Sequence, residues 1–213
     1  MSSTSFKRKV WAHYKKEGRH NLPWRKTRDP YKILVSEVML QQTQVERVIP
    51  FYTEFTKRWP SFGALADAPL AEVLKAWQGL GYNRRAKMLR AAAKEIIERL
   101  GGKFPKTAEE LDRLPGIGHY TANAIAAFAF TRDAVFIETN IRTAILYNFF
   151  AGKKKVSDTQ IRRILEELLP RGKSRVWNLA LMDYGAHLKK SGVKLNAKSR
   201  HYSRQSKFAG SNR

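Results

Sequence analysis

The segment Leu114-Pro115-Gly116-Ile117-Gly118 combines residue types that suit phosphate binding. Two glycines around one aliphatic residue allow a tight hairpin whose backbone N–H groups point outward. A helical pattern resumes directly after Gly118, so the positive end of that helix dipole would also face a bound anion. Ile117 would anchor the hairpin to the core. The segment therefore predicts a phosphate site that needs no cationic side chain.

An ordinary turn between two helices is the alternative interpretation of this segment. Such a turn would explain one glycine, but it would not explain the whole five-residue pattern in a strongly basic chain. The same pattern with a helix on each side is the helix-hairpin-helix DNA motif, and we adopt that interpretation.

The charge balance of the chain indicates the same kind of partner. The 213 residues include 41 Lys and Arg against 18 Asp and Glu, which gives a formal net charge of +23. A field of that sign attracts polyanions, and nucleic acid is the first candidate. The alternatives are an anionic membrane surface and a protein that is merely basic. We favour nucleic acid and expect no membrane partner.

Several absences in the sequence limit the class of protein. The chain contains no cysteine, which excludes disulfides, a Cys nucleophile, thiolate zinc sites and any Cys-ligated iron–sulfur cluster. The five histidines show no metal-ligand spacing, so we expect no metal and no cofactor. No run approaches the ~18 apolar residues of a membrane span, and the start lacks the apolar core of a secretory signal. We expect an intracellular protein, in the cytoplasm or nucleoid of a prokaryote or the nucleus of a eukaryote.

Helical periodicity extends over almost the whole chain and predicts an all-α fold. Pro50 interrupts one apolar series and predicts a kinked or divided helix at that point. Only residues 134–137 have a composition that would suit a short strand. Capping and termination signals mark where helices begin and end: Asp29-Pro30, Gly101-Gly102, Thr107 with Glu110, and Ser157 with Gln160.

The end of the chain is strongly basic, because no acidic residue follows Asp183. We call residues 189–213 the basic tail, and its candidate DNA contacts are Lys189, Lys190 and Arg200. One interpretation is an arm that contacts phosphates and becomes ordered on DNA. The other is a frayed, solvated terminus. We favour the arm because the density of positive charge is high even for this protein.

Residues 34–45, LVSEVMLQQTQV, resemble the MutY family of adenine DNA glycosylases. Supporting matches are Leu22-Pro23-Trp24-Arg25, Asp29-Pro30-Tyr31, the segment from Trp77 to Tyr82, and the hairpin, in the order found in the helix-hairpin-helix glycosylase superfamily. The resemblance covers about residues 6 to 188. It implies a two-lobed fold with the active site in the cleft between the lobes. Residues 27–131 would form a six-helix lobe that contains the hairpin (114–118), residues 1–26 and 132–188 a second helical lobe, and residues 189–213 the tail.

By this resemblance the residues of the catalytic site are Glu37, Glu138, Asn140 and Tyr120. Glu37 is the acid that protonates the leaving adenine, and its apolar helix context should favour the protonated carboxyl. The family places an Asp where this chain has Glu138, which would stabilise the cationic sugar from one methylene further out. Asn140 would hold that carboxylate or a water molecule. The alternative for Glu138 is a carboxylate that only supports the start of the next helix.

The resemblance also implies groups that handle the duplex and the target base. Three side chains look like those that hold the duplex open while a base is flipped: Gln41, Gln42 and Tyr82. Leu22 and Trp24 would line the base pocket with Arg25 nearby, although a simple core position suits Trp24 equally well. Tyr120 stands where lyase-type relatives have a Schiff-base lysine, and a tyrosine cannot form an imine.

The function implied by the resemblance is that of a monofunctional base excision repair glycosylase. It would be a monomer that binds double-stranded DNA with a mispaired or damaged base and removes adenine opposite G or 8-oxoguanine. A thymine or uracil glycosylase acting on G mismatches is the enzymatic alternative, because those relatives also show a tyrosine after the hairpin and a stretch like Gly81-Tyr82-Asn83. A non-catalytic mismatch-sensing protein is the third, and the presence of Glu37 in its motif argues against it.

Overall fold

The computed structural model describes residues 1–199, and the regular elements in that range are helices. None of these helices is long and apolar enough to cross a membrane. Two are short 3-10 helices, Pro23–Arg25 and Asn196–Lys198. The α-helices are α1 (Ser3–Glu17), α2 (Pro30–Leu40), α3 (Val45–Arg58), α4 (Phe62–Asp67), α5 (Leu70–Trp77), α6 (Arg84–Glu98), α7 (Ala108–Leu111), α8 (His119–Phe130), α9 (Thr139–Phe149), α10 (Asp158–Leu168) and α11 (Ser174–Lys190). The all-α prediction is confirmed.

The capping signals in the sequence act where they were expected. The Asp29 side chain accepts hydrogen bonds from two backbone N–H groups at the start of α2, and Pro30 occupies the first helical position. Reciprocal capping boxes form at the starts of α7 and α10, between Thr107 and Glu110 and between Ser157 and Gln160. Gly101 and Gly102 both have positive φ after α6, which lets the chain leave the helix there.

Two local features of the sequence can be compared with the structure. Helix α3 continues through Pro50 as one helix, so of the two expected outcomes a divided helix is excluded and a kink stays a prediction. A proline at this point has no N–H to donate to the carbonyl of Glu46, near the helix start. Residues 134–137 form no strand, because no neighbouring strand in the described chain pairs with them. The β-type pairing in residues 1–199 is one isolated bridge between Val156 and Ser199.

The first of two compact units, which we call the central unit, contains residues 19–136 and 171–175. Helix α2 lies in its core, where it packs against α3, α6 and α8. Helices α4 and α5 pack against α6, and α7 packs against α8. Seven α-helices, α2 to α8, lie within residues 19–136, where the resemblance implied a lobe of six helices at residues 27–131. The short helices α4 and α7 are the ones that a periodicity analysis finds hardest to separate.

The second unit, which we call the terminal unit, contains residues 1–18, 137–170 and, within the described chain, 176–199. Helix α10 packs against α1 and α9. The ring of Phe6 is fully buried at its centre and meets three aromatic rings edge-on, those of Phe149, Trp177 and Tyr184. Edge-to-face arrangements of this kind add stability beyond the buried area.

The contact boundaries of the units differ from the lobe boundaries implied by the resemblance. Residues 19–26 and 132–136 cluster with the central unit, not with the segments from the chain termini. Arg175 supplies a physical reason, since its guanidinium donates hydrogen bonds to the carbonyls of Arg25, Thr27 and Phe128. The functional division into two lobes stays a prediction.

Candidate active site and DNA-binding surface

Glu37 lies in α2, at the core of the central unit, and its side chain is only 6% exposed. Val35 and Val38 on the same helix are buried as well. Taking an ionised carboxylate out of water is costly, and glutamate is among the residues least often buried. A carboxyl kept in such a position is therefore a candidate for proton-transfer chemistry rather than for packing.

The turn after α2 presents the two glutamines that were predicted to contact DNA. The Gln41 amide donates a hydrogen bond to the Thr121 hydroxyl at 3.2 Å, which joins this turn to α8 just after the hairpin. Gln42 is exposed and has a φ of +59°, a left-handed conformation that few non-glycine residues adopt. Backbone strain of this kind persists only where the surrounding structure enforces it, and it is enriched at functional sites.

The turn between α5 and α6 presents Tyr82 in a similar way. Its φ is +50° and its side chain is 40% exposed. An exposed aromatic side chain suits stacking on nucleic acid bases. Two of the three predicted duplex-opening residues, Gln42 and Tyr82, therefore stand at strained positions on the surface.

Arg85 joins these two turns, and the sequence analysis missed it. Its Nη1 donates to three carbonyls at the end of α2, those of Val38 (2.9 Å), Met39 (2.8 Å) and Gln41 (2.6 Å). Its Nη2 donates to the Thr43 hydroxyl (3.0 Å) and to the carbonyls of Leu80 (3.2 Å) and Gly81 (3.1 Å). Burial lowers the pKa of the Arg85 guanidinium, although an arginine remains charged at physiological pH.

The hairpin has the geometry that its sequence predicted. Gly116 has a φ of +75°, and a Cβ there would come within 2.5 Å of the Met88 Cβ, so both the turn and the approach to α6 require glycine. The Ile117 side chain is buried and anchors the hairpin. Gly118 is exposed and precedes α8, whose first turn receives no side-chain cap within the described chain. Backbone N–H groups at such a helix start are available for an anion.

A cavity of about 330 Å³ lies in the central unit where these features meet. Its lining includes Gln41, Gln42 and Tyr82 from the two turns, Arg85 and Met88 from α6, and Pro115, Gly116 and Ile117 from the hairpin. The structure therefore brings the predicted duplex-opening residues and the predicted phosphate hairpin together around one opening.

The predicted base-pocket residues lie elsewhere in the central unit and do not line this cavity. Leu22 is half-buried just before the 3-10 helix that contains Trp24 and Arg25. The Trp24 ring is buried and packs edge-on against Tyr52 with 5.4 Å between centroids. Burial and the nearby Asp29 carboxylate raise the pKa of the Tyr52 phenol to about 12, so the phenol stays neutral. These contacts fit the core interpretation of Trp24, and its role as a pocket wall stays a prediction.

Tyr120 is the second residue of α8, two positions after the hairpin. Its ring is half-buried and meets the Phe136 ring edge-on at 5.5 Å. The side chain at this position offers a phenol and no amine.

Glu138 of the terminal unit caps the start of α9. Its Oε1 accepts a hydrogen bond from the Ile141 N–H at 2.8 Å, and the side chain is half-buried. The helix-supporting role that the sequence left as an alternative is therefore present. It does not exclude a second role, because a capping carboxylate keeps its charge.

Asn140 lies in the first turn of α9, where α11 approaches very closely. A Cβ on Gly185 would overlap the Asn140 carbonyl, so α11 requires glycine at this point. Gly185 was not among the predicted site residues, although a glycine is costly inside a helix and its place in the 17-residue α11 was an available signal. Gly185 thus fixes the backbone that carries Asn140.

The described part of the basic tail packs against the terminal unit. Lys189 and Lys190 are exposed at the end of α11, whereas Arg200 lies outside the described residues. The Lys198 ammonium donates to the Ala151 carbonyl at 2.8 Å, and the Thr143 hydroxyl donates to the Asn196 side chain at 3.1 Å. Arg142 also binds both the Asp158 carboxylate and the Ser199 hydroxyl. Residues 196–199 therefore make specific contacts with the rest of the terminal unit, and both interpretations of the tail stay predictions.

No cluster of three or more His, Cys, Asp or Glu side chains in residues 1–199 has a geometry that could hold a metal ion. The His13 and His187 rings lie in contact, tilted by 43°, with 4.7 Å between their centroids. Burial and the neighbouring His187 lower the pKa of His13, opposed by the Asp183 and Glu17 carboxylates.

Comparison with known proteins places this arrangement in a family. Residues 35–173 match the HhH-GPD superfamily of base excision DNA repair proteins, and the chain belongs to that superfamily. A solved structure of a thermostable thymine-DNA glycosylase superposes on it with a TM-score of 0.75 at 30% sequence identity, covering 86% of each chain.

The individual relatives include glycosylases with two different substrates. The chain is 38% identical over 187 residues to the adenine DNA glycosylase of Buchnera aphidicola, which covers 87% of this chain and 53% of that protein. It therefore spans about half the length of that relative. It is also 32% identical over 192 residues to the thymine/uracil-DNA glycosylase of Methanothermobacter thermautotrophicus, covering 86% of both proteins.

Proposed function

We propose that this chain is a DNA glycosylase of base excision repair that releases adenine paired with G or 8-oxoguanine. The observation that carries the proposal is the buried Glu37 inside the MutY-like segment 34–45, on the helix that leads directly into the Gln41–Gln42 turn. Higher identity to adenine glycosylases than to the thymine/uracil enzyme supports adenine as the substrate. The enzyme would work where the cell keeps its DNA, in the cytoplasm or nucleoid of a prokaryote or the nucleus of a eukaryote.

The reaction breaks the bond between the sugar carbon and the base nitrogen. In the proposed mechanism Glu37 gives its proton to the leaving adenine, and the electron pair of the broken bond stays on the base. The sugar passes through an oxocarbenium-like state that the Glu138 carboxylate stabilises. Water then attacks the sugar carbon and passes a proton to the Glu37 carboxylate that the first step left, which yields free adenine and an abasic site. Asn140 would orient that carboxylate or the water.

The chemistry requires the base to leave the stack first, which costs a few kcal/mol. The hairpin would hold the backbone through its N–H groups, while Gln41, Gln42 and Tyr82 occupy the space between the bases. Leu22, Trp24 and Arg25 would surround the extruded base, and Lys189, Lys190 and Arg200 would add phosphate contacts. The mechanism uses no cofactor and a single copy of the chain.

A thymine or uracil glycosylase acting on G mismatches is the second candidate. A specific observation favours it, since the match to the Methanothermobacter enzyme covers 86% of both proteins. Tyr82-Asn83 and Tyr120 are compatible with either substrate. A non-catalytic mismatch sensor is disfavoured, because such a protein has no use for a buried carboxyl at position 37.

Five duplexes that differ only in the central pair test the proposed substrate: A opposite G, A opposite 8-oxoguanine, T opposite G, U opposite G, and A opposite T. Heating in alkali converts each abasic site into a strand break that a denaturing gel resolves. We expect release of adenine from the first two duplexes at least ~10-fold faster than release of thymine or uracil. Faster release of thymine or uracil would establish the second candidate, and no release from any duplex would refute both.

The same reactions test whether the enzyme also cuts the strand. Because Tyr120 lacks an amine, we expect no strand break before the alkali step and no borohydride-trapped protein–DNA adduct. The matched variant Tyr120→Lys supplies an amine and provides a positive control for trapping. Strand cleavage by the parent protein, with an adduct that borohydride traps, would show that another amine in the chain acts as a lyase.

A further inference from the structure

Arg85 makes contacts that use both terminal nitrogens of its guanidinium. Its two terminal nitrogens bond two separate turns, the Gln41–Thr43 turn after α2 and the Leu80–Gly81 turn before α6. The guanidinium is planar and offers its donors in a fixed fork, whereas a lysine has one compact ammonium. Nη2 bonds both turns, whereas Nη1 bonds Gln41 and the last carbonyls of α2. A lysine at position 85 has three donors on one nitrogen, so it cannot replace the contacts of both nitrogens at once.

The guanidinium also completes the end of α2. The last carbonyls of a helix have no partner within the helix, and those of Val38 and Met39 receive one from Arg85. A positive charge at this end of the helix also interacts favourably with the negative end of the helix dipole. The guanidinium lies 5.5 Å from the centre of the buried Trp77 ring and 5.7 Å from the centre of the Tyr82 ring. The guanidinium therefore contacts both the buried Trp77 ring and the exposed Tyr82 ring.

The two turns joined by Arg85 have strained backbones. Gln42 and Tyr82 both have positive φ, and such conformations persist only when their surroundings hold them. Arg85 bonds the residues immediately before each of them, Gln41 and Gly81. The hydrogen bonds of Arg85 therefore fall directly beside the two strained residues, Gln42 and Tyr82.

We propose that Arg85 is a positioning residue that holds the Gln41–Gln42 turn and the Gly81–Tyr82 turn in one fixed arrangement, so that both enter the duplex together and extrude the target base. This inference rests on the proposed function, because the two turns act on DNA only if the chain is a glycosylase. It adds a residue that has no contact of its own with the base.

The central variant is Arg85→Lys, which keeps the charge and removes the fork. Thr43→Val removes one acceptor of the fork and the hydroxyl's own bond to the Gln41 carbonyl, and it serves as a milder second variant. Arg99→Lys is the matched control, since Arg99 is exposed just after the end of α6, pairs with Glu95 and does not line the cavity. Thermal unfolding of all four proteins checks that each is folded.

Three measurements separate positioning from simple support of the fold. Hydrogen exchange of the free protein measures how stably the two turns are held. The fluorescence of a 2-aminopurine placed beside the target adenine measures extrusion of that adenine from the duplex. Single-turnover excision is then compared between A opposite G and A opposite an abasic-site analogue, where the pairing that must be broken is already absent.

For Arg85→Lys we expect faster hydrogen exchange in residues 40–43 and 79–83 together, and a smaller fluorescence rise on binding. Excision should slow by about 10- to 100-fold on A opposite G, the range that misplacement of a working group by about 1 Å produces. On the abasic-site duplex the defect should shrink several-fold, because less extrusion work remains. Thr43→Val should follow with smaller changes, and Arg99→Lys should match the parent.

An equal slowing on both duplexes would overturn the inference, because it would mean that Arg85 acts through Glu37 and α2 rather than through extrusion. Unchanged exchange and fluorescence in Arg85→Lys would overturn it as well. Failure of the proposed function is distinguishable, since it would appear as no excision by the parent protein on any duplex. The hydrogen exchange and fluorescence measurements would still decide the role of Arg85 in that case.

Discussion

Replacement of Glu37 by glutamine is expected to abolish base excision while leaving duplex affinity within a few-fold of the parent. Glutamine has nearly the same shape, so the packing of α2 should persist around this buried position. It cannot donate a proton to the leaving base, and general acid catalysis of this kind contributes on the order of 10²–10⁴ in rate. A proton transfer made only in the transition state affects the rate of the chemical step and not ground-state binding.

Single-turnover excision on an A:G duplex and a separate binding titration measure the two effects. Ser36→Ala is the matched control, because Ser36 is the buried neighbour of Glu37 and its hydroxyl donates only to the Ile33 carbonyl within the same helix. We expect that control to retain parental excision. If Glu37→Gln instead loses DNA binding and keeps turnover per bound complex, Glu37 is a structural residue.

Sequence patterns predicted the parts of this protein that depend on short-range contacts. The capping box of Thr107 with Glu110 and the cap at Asp29 depend on residues at most three positions apart, so local chemistry determines them. The hairpin belongs to the same class, since the left-handed φ of Gly116 is a property of the turn itself. For these features the sequence already contains both partners of each contact.

The residues that the sequence analysis missed have distant partners. Arg85 bonds the carbonyl of Gln41, 44 positions away, and nothing in the composition of α6 distinguishes it from the other basic residues of the chain. Gly185 matters because of Asn140, 45 positions earlier, and Arg175 because of Arg25, 150 positions earlier. Pairings at such separations are decided by tertiary packing, which periodicity does not report.

Removal of the Glu138 side chain is expected to lower excision strongly, and the cap at α9 determines how that result must be tested. Glu138→Ala removes both the carboxylate charge and the acceptor of the Ile141 N–H. Loss of an N-cap costs about 1 kcal/mol, or roughly 2–4 °C in melting temperature for a domain of this size. The Glu138→Ala variant alone therefore cannot separate a catalytic effect from a structural one.

Glu138→Gln separates the two roles, because its side-chain oxygen can still accept from the Ile141 N–H while the charge is gone. If the carboxylate stabilises the sugar cation, Glu138→Ala and Glu138→Gln should both lose at least ~10² in single-turnover rate, as removal of one preorganised electrostatic partner does. The melting temperature should fall only for Glu138→Ala. Glu138→Asp keeps the charge and the cap on a shorter side chain, and we expect a rate between those of the parent and the alanine variant.

Rates on one A:G duplex, set beside melting temperatures for the four proteins, distinguish the mechanisms. Parental excision by Glu138→Gln, with a lower melting temperature for Glu138→Ala, would assign Glu138 to helix capping alone. Glu37 would then be the one carboxylate in the proposed mechanism, and the sugar cation would need another source of negative charge. A loss of rate in Glu138→Gln at unchanged stability would instead establish that the charge of a glutamate serves the reaction where the family uses an aspartate.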